Sequence, residues 1–124
     1  MVQIFEDVHV ALKGFLRDGI TIMVGGFGLC GIPENAIRAI YESEVKGLTI
    51  ISNNFGTADS GLGMLLKKKQ VKRLISSYPG GNELLVQAVN NNEIEVVLVP
   101  QGTLAEAIRC GGAGIPAFYT RAGV

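Results

Sequence analysis

Apolar residues at Val8, Ala11, Leu12, Phe15 and Leu16 recur at the spacing of one helix face, which predicts a helix over 8–16. Asp18-Gly19 marks a turn, and the β-branched run at 20–24 predicts a short buried strand. Gly25 to Gly31 is a glycine-rich loop. Beyond it Pro33 suits a first helical turn, with Ile37, Ile40 and Tyr41 on one face. The cycle then repeats: strand at Leu48 to Ser52, helix at 62–69, strand at Val71 to Ser76, helix at 83–89, strand at 94–99. Thr103 and Glu106 have the spacing of a capping box opening a further helix, which is expected to end at Gly111-Gly112. A last strand is expected over 115–119. Helices alternating with strands predict an α/β domain on a mainly parallel sheet, with helices on both faces. In such sheets ligands sit beyond the carboxyl ends of the strands.

Composition narrows the classes. The 124 residues suffice for one domain, 1–124, and 48% of them are hydrophobic against 18% charged. With 11 basic and 11 acidic residues the formal charge is zero, which argues against a nucleic-acid partner. No apolar run approaches a bilayer span, so no membrane association is expected. The first ten residues resemble neither a secretory signal nor an Arg- and Ser-rich transit peptide. One histidine and two cysteines, Cys30 and Cys110, lack metal-ligand spacing, so no metal site is expected, and a reducing bacterial cytoplasm fits best.

Candidate chemistry lies after the strands. Gly25, Gly26, Phe27, Gly28, Leu29, Cys30 and Gly31 let a ligand approach the backbone, and the helix that follows is expected to offer N–H groups to an anion. Gly26 to Gly31 satisfies G-x-G-x-x-G, yet the next strand ends in Asn53-Asn54 with no acid for a ribose, so a nicotinamide cofactor is disfavoured. A tight turn without a ligand is the plain alternative. Asn53 and Asn54 are amide donors for a carbonyl or carboxylate oxygen, or else cap and turn residues. Gln101 follows the fourth strand. The run Lys67-Lys68-Lys69 with Lys72 and Arg73 reads first as a solvated helix end and second as an attractor of phosphate. Cys30 has no base beside it and reads as packing; His9 reads as ordinary surface. Neither a carboxylate pair nor a Ser-His-Asp set emerges.

From Asp18 to Pro33, DGITIMVGGFGLCGIP resembles the first signature of the family I CoA-transferases. LTIISNN, GLGMLLKKKQVKRLISSY and EIEVVLVPQGTLAEAIRCGGAGIPAFYT extend the likeness, in order, to the α-subunit of the 3-oxoacid members. The resemblance implies transfer of coenzyme A from succinyl-CoA to acetoacetate by a ping-pong route. A glutamate of a β-subunit, in a Ser-Glu-Asn-Gly type motif missing from these residues, would attack the thioester. Coenzyme A is then a substrate and no cofactor is needed. The glycine loop, Asn53, Asn54 and Gln101 would line the α side of the site. Other short-chain acyl-CoA:acetate or acetoacetate transferases and a non-catalytic remnant are the alternatives. Two departures stand out: Pro79-Gly80-Gly81-Asn82 replaces Val-Gly-Glu-Asn, and Ala58 replaces an acid in Gly56-Thr57-Ala58-Asp59. The family's α-subunit runs beyond Val124, so the chain is expected to be C-terminally incomplete and to associate with a β-subunit or with itself.

Overall fold

The computed structural model describes residues 2–122. Four parallel strands lie side by side in chain order: β1 (Thr21–Met23), β2 (Leu48–Ser52), β3 (Val71–Ser76) and β4 (Glu95–Leu98). The connecting helices are α2 (Glu34–Ser43), α3 (Met64–Lys67, entered through a 3₁₀ turn at Gly61–Gly63) and α4 (Glu83–Asn90). A short α1 (Val8–Leu12) precedes the sheet and α5 (Gln101–Ala113) follows it.

Stepping always in one direction, right-handed crossovers put their helices on the same face. The core bears this out: Ile37 and Ile40 of α2, Leu65 and Leu66 of α3 and Leu85 of α4 join Leu48, Ile50, Val71 and Leu74 in one buried cluster. Leu48, Ile50, Leu65 and Leu74 are wholly inaccessible, each worth about 1.5–3 kcal/mol of burial. On the alternate face no strand residue is buried; Met23 stays 60% exposed, and Arg73 pairs with Glu95 at 3.3 Å. The expected cover is therefore complete on one face only. β1, read as a buried strand, is an edge strand with Thr21 and Met23 exposed.

Other differences have local causes. The first helix stops at Leu12 instead of reaching residue 16; it packs mainly against α2, and Phe15 is 70% exposed. Asp7 caps this helix, Oδ1 accepting from Val10 N at 2.9 Å. Thr103 is no cap: α5 already starts at Gln101, directly after Pro100, and the Thr103 hydroxyl donates to Ala122 O. α5 also runs through Gly111 and Gly112 to a left-handed Gly114. Residues 115–119 are irregular and form no strand.

Each crossover helix leaves through a left-handed residue that is not glycine: Glu44 after α2, Lys69 after α3 and Asn92 after α4, with φ of 61°, 52° and 55°. Gln70, fully buried, donates from Nε2 to Ile40 O at 2.9 Å and Val45 O at 3.1 Å, tying the end of α2 to the start of β3.

Among the described glycines, Gly63 has the closest surroundings. A Cβ there would lie 1.8 Å from Thr57 O and 2.6 Å from Asn82 Nδ2. Gly111 and Gly112 have nothing within 4 Å. Gly63→Ala is expected to cost about 3 kcal/mol or more, while Gly111→Ala or Gly112→Ala, inside a helix, gains about 0.5–1 kcal/mol. Urea unfolding of the three variants checks both signs; equal midpoints for all three would contradict the packing described.

Candidate functional site

The carboxyl ends of β2, β3 and β4 converge on one uncharged cluster. Phe55, fully buried, anchors the chain just past β2. The Asn53 carbonyl accepts from Ser76 Oγ at 2.8 Å and Tyr78 N at 3.0 Å, which fixes the backbone beneath the cluster. Asn53 Nδ2 lies 2.9 Å from Gln101 Oε1 and 3.0 Å from Ser77 Oγ. Ser77 Oγ lies 2.6 Å from Gln101 Oε1 and 3.0 Å from the Asn53 carbonyl. Gln101 reaches this point because Pro100 ends the strand and α5 begins at once.

The glycine loop stands beside the cluster. Phe27 and Cys30 exchange both backbone hydrogen bonds at 2.9 Å, closing a tight hairpin and occupying those two N–H groups. Gly26 has φ +118°, and a Cβ on it would sit 2.5 Å from Ile32 Cγ2. Gly28 has φ +60°, and its missing Cβ would meet Asn54 Nδ2 at 4.0 Å. Helix α2 starts further on, at Glu34, whose carboxylate opposes an anion. The loop is a hairpin whose tip faces Asn54, with Phe27 and Leu29 exposed and Gly25 and Gly31 at its base.

Of the expected site residues, Asn53 and Gln101 touch, and Asn54 faces Gly28. Among the described residues the Asn54 side chain takes no hydrogen bond, which leaves its amide available. Sequence reasoning missed Ser77; a serine in a loop carries little signal, and only its position directly after β3 could have marked it. Its hydroxyl contacts amides and carbonyls rather than a base, so it is no activated nucleophile. The cluster can orient and polarise an oxygen, and it supplies neither nucleophile nor proton acceptor.

Lys67, Lys68 and Lys69 are committed elsewhere, near the amino ends of the strands and about 20 Å from the cluster. Lys67 pairs with Asp59, Lys68 with Glu44 at 3.7 Å and with the Tyr41 ring at 4.2 Å, and Lys69 with Glu93 at 3.0 Å. The structural reading of these lysines is the one the geometry bears out. His9, exposed, pairs with Glu42 at 3.3 Å. A cleft of about 710 Å³ between α3 and α4 also lies at that end and includes none of the expected site residues. Gly81 is exposed, and a Cβ there would meet nothing within 4 Å, so a longer side chain has room. Among the described residues, no group of three or more His, Cys, Asp or Glu is placed to hold a metal, and no helix is long and apolar enough to cross a membrane.

Fold and site together define a parallel α/β domain with neutral hydrogen-bond donors at the carboxyl edge of its sheet. The family model for coenzyme A transferase matches residues 5–124. The chain is 58% identical over 124 residues to the A subunit of the succinyl-CoA:3-ketoacid coenzyme A transferase of Helicobacter pylori strain J99, covering all of this chain and 53% of that protein. It is 57% identical over 109 residues to the corresponding probable A subunit of Bacillus subtilis strain 168, covering 88% of this chain and 46% of that protein. The human mitochondrial succinyl-CoA:3-ketoacid coenzyme A transferase 2 is 55% identical over 108 residues, covering 87% of this chain and 21% of that protein. Among solved structures, the Escherichia coli O157:H7 acyl-CoA transferase YdiF, as its thioester complex with CoA, shares the fold. The TM-score is 0.74 at 23% identity, over 90% of this chain and 23% of that one. The chain belongs to the coenzyme A transferase family. It spans about half the length of the two bacterial relatives it matches.

The two thiols differ sharply. Cys30 is exposed on the hairpin, whereas Cys110 is 3% exposed; loss of water pushes its thiol up, and Glu106 beside it adds to the shift. A thiol reagent at neutral pH is expected to label one cysteine at least about tenfold faster than the other. Peptide mapping should identify the fast one as Cys30, and equal rates would contradict the burial of Cys110.

Proposed function

We propose that this chain contributes the oxygen-binding half of a CoA-transferase site, completed by a β-subunit that brings the nucleophilic glutamate. The observation that carries the reading is the uncharged cluster of Asn53, Ser77 and Gln101, with Asn54 beside it, at the carboxyl edge of the sheet. Neutral amides suit this chemistry. The thioester carbonyl gains negative charge as a carboxylate attacks it, and fixed N–H donors stabilise that charge more than they stabilise the ground state. A charged lysine here would also bind the free carboxylate tightly and so lower the gain in rate.

In the sequence of steps, glutamate of the partner attacks the acyl-CoA thioester and CoA thiolate leaves, giving a mixed anhydride. The thiolate then attacks the glutamyl carbonyl, releasing the first acid and leaving a glutamyl-CoA thioester. The second acid and CoA exchange by the reverse of these steps. The names of the relatives support succinyl-CoA and a 3-ketoacid as the pair, and their designation as one lettered subunit supports a hetero-oligomer. Acetoacetate, hence ketone-body metabolism, is the 3-ketoacid we favour. Two free cysteines are compatible with a reducing bacterial cytoplasm.

The test is CoA transfer from succinyl-CoA to acetoacetate by the chain mixed with a cognate β-subunit. Neither component alone is expected to turn over, and a borohydride- or hydroxylamine-sensitive glutamyl thioester should form on the partner only. Such a thioester on this chain, or no transfer by the mixture with any short-chain acyl-CoA, would sink the proposal. In the active mixture, Asn54→Ala and Gln101→Ala are each expected to lower turnover about 10²-fold, the scale of a lost oxyanion donor.

A further inference from the structure

We infer that Ser77 is a positioning residue that clamps the Gln101 carboxamide so that its Nε2 amino group faces outward and joins Asn54 as a donor offered to a substrate oxygen. This deepens the functional reading above and rests on it for the identity of that oxygen.

The argument is a count of protons and lone pairs. The Asn53 carbonyl already accepts from Ser76 Oγ at 2.8 Å and Tyr78 N at 3.0 Å. The single Ser77 hydroxyl proton therefore goes to its shorter neighbour, Gln101 Oε1 at 2.6 Å, and not to that carbonyl at 3.0 Å. Asn53 Nδ2 lies 3.0 Å from the hydroxyl oxygen and 2.9 Å from Gln101 Oε1, and because those oxygens are only 2.6 Å apart a single hydrogen of the Asn53 amide points between them. That hydrogen is held inside the ring. Gln101 Oε1 carries two donors, so its amide plane is fixed and its amino group points away. Gln101 is exposed and, among the described residues, its Nε2 takes no partner; neither does the Asn54 amide beside Gly28.

Ser77 is what sets the direction of this ring. Two carboxamides facing each other satisfy one hydrogen bond in either orientation, and a hydroxyl that must donate to one of them breaks the tie. Without it, Gln101 is held by Asn53 alone and its amino group is free to turn inward.

The first measurement needs no turnover. In the full chain, side-chain amide resonances of Asn53 and Gln101, assigned through Asn53→Ala and Gln101→Ala, are compared for exchange with water. One hydrogen of the Asn53 amide should be protected and the Gln101 amide should exchange freely. The reverse pattern, Gln101 protected and Asn53 free, overturns the inference, because the ring would then run the other way. The second measurement is a double-mutant cycle in the assembled enzyme. Ser77→Ala should lower kcat about tenfold with little change in KM, Ser77→Thr should restore it, and in a Gln101→Ala background the same change should cost less than about twofold. Equal losses in both backgrounds would assign Ser77 a merely structural role and overturn the proposal. Should Ser77→Ala fail to fold, the exchange comparison on the unaltered chain decides. Should the unaltered enzyme transfer no CoA, the functional reading falls while the exchange comparison still judges the ring.

Discussion

The parallel pairing of β2 with β3 is the contact on which the rest depends. Ile50 lies opposite Leu74, and both are wholly buried, as are Leu48 and Leu65 around them. At the carboxyl end of the same pair, Ser52 lies opposite Ser76, both buried, and the ladder passes directly into Asn53 and Ser77. The apolar half of the pair drives its formation. The last polar step decides where two of the cluster's side chains emerge, so core and site share one register and a slip would misplace both.

Much of this is legible in the sequence because β2 and β3 are apolar, β-branched and flanked by turn residues; their limits, Leu48–Ser52 and Val71–Ser76, are those expected. The periodicity of α2 and α4 is equally clear, since Ile37, Ile40 and Leu85 do face the core. Legibility fails where tertiary context overrides local chemistry. Thr103 and Glu106 have capping-box spacing, but Pro100 caps the helix three residues earlier, and Glu106 turns to Arg109, whose hydrogen bonds hold its carboxyl below the usual range. Residues 115–119 are rich enough in apolar side chains to suggest a strand, yet no neighbour pairs with them. The glycine loop is plain as a loop but not as a hairpin: spacing cannot reveal that Phe27 and Cys30 close on each other.

The site follows the same division. Asn53, Asn54 and Gln101 stand out by position alone, because each follows a strand in a parallel sheet. Ser77 has the same kind of position but no distinguishing chemistry in sequence, and its part becomes visible only when the hydroxyl is seen between two amides. A cluster of neutral groups also leaves little electrostatic trace, which is why no perturbed ionisation points to it. The shifted groups, Asp7, Glu106, Arg109 and Cys110, lie on the first and last helices.

The three left-handed exits at Glu44, Lys69 and Asn92 have a further consequence. Each costs about 1–2 kcal/mol of backbone strain for a residue other than glycine. The side chains kept by that cost form a lace along the opposite rim: Glu44 reaches Lys68 at 3.7 Å, and Lys69 reaches Glu93, next to Asn92, at 3.0 Å. Successive βα units are thus laced at this rim by exposed ions outside and by the buried Gln70 amide within. Dissolved salt loosens the outer lacing and leaves the inner tie nearly untouched. Ionic strength would therefore fray this rim at its surface without parting the strands beneath.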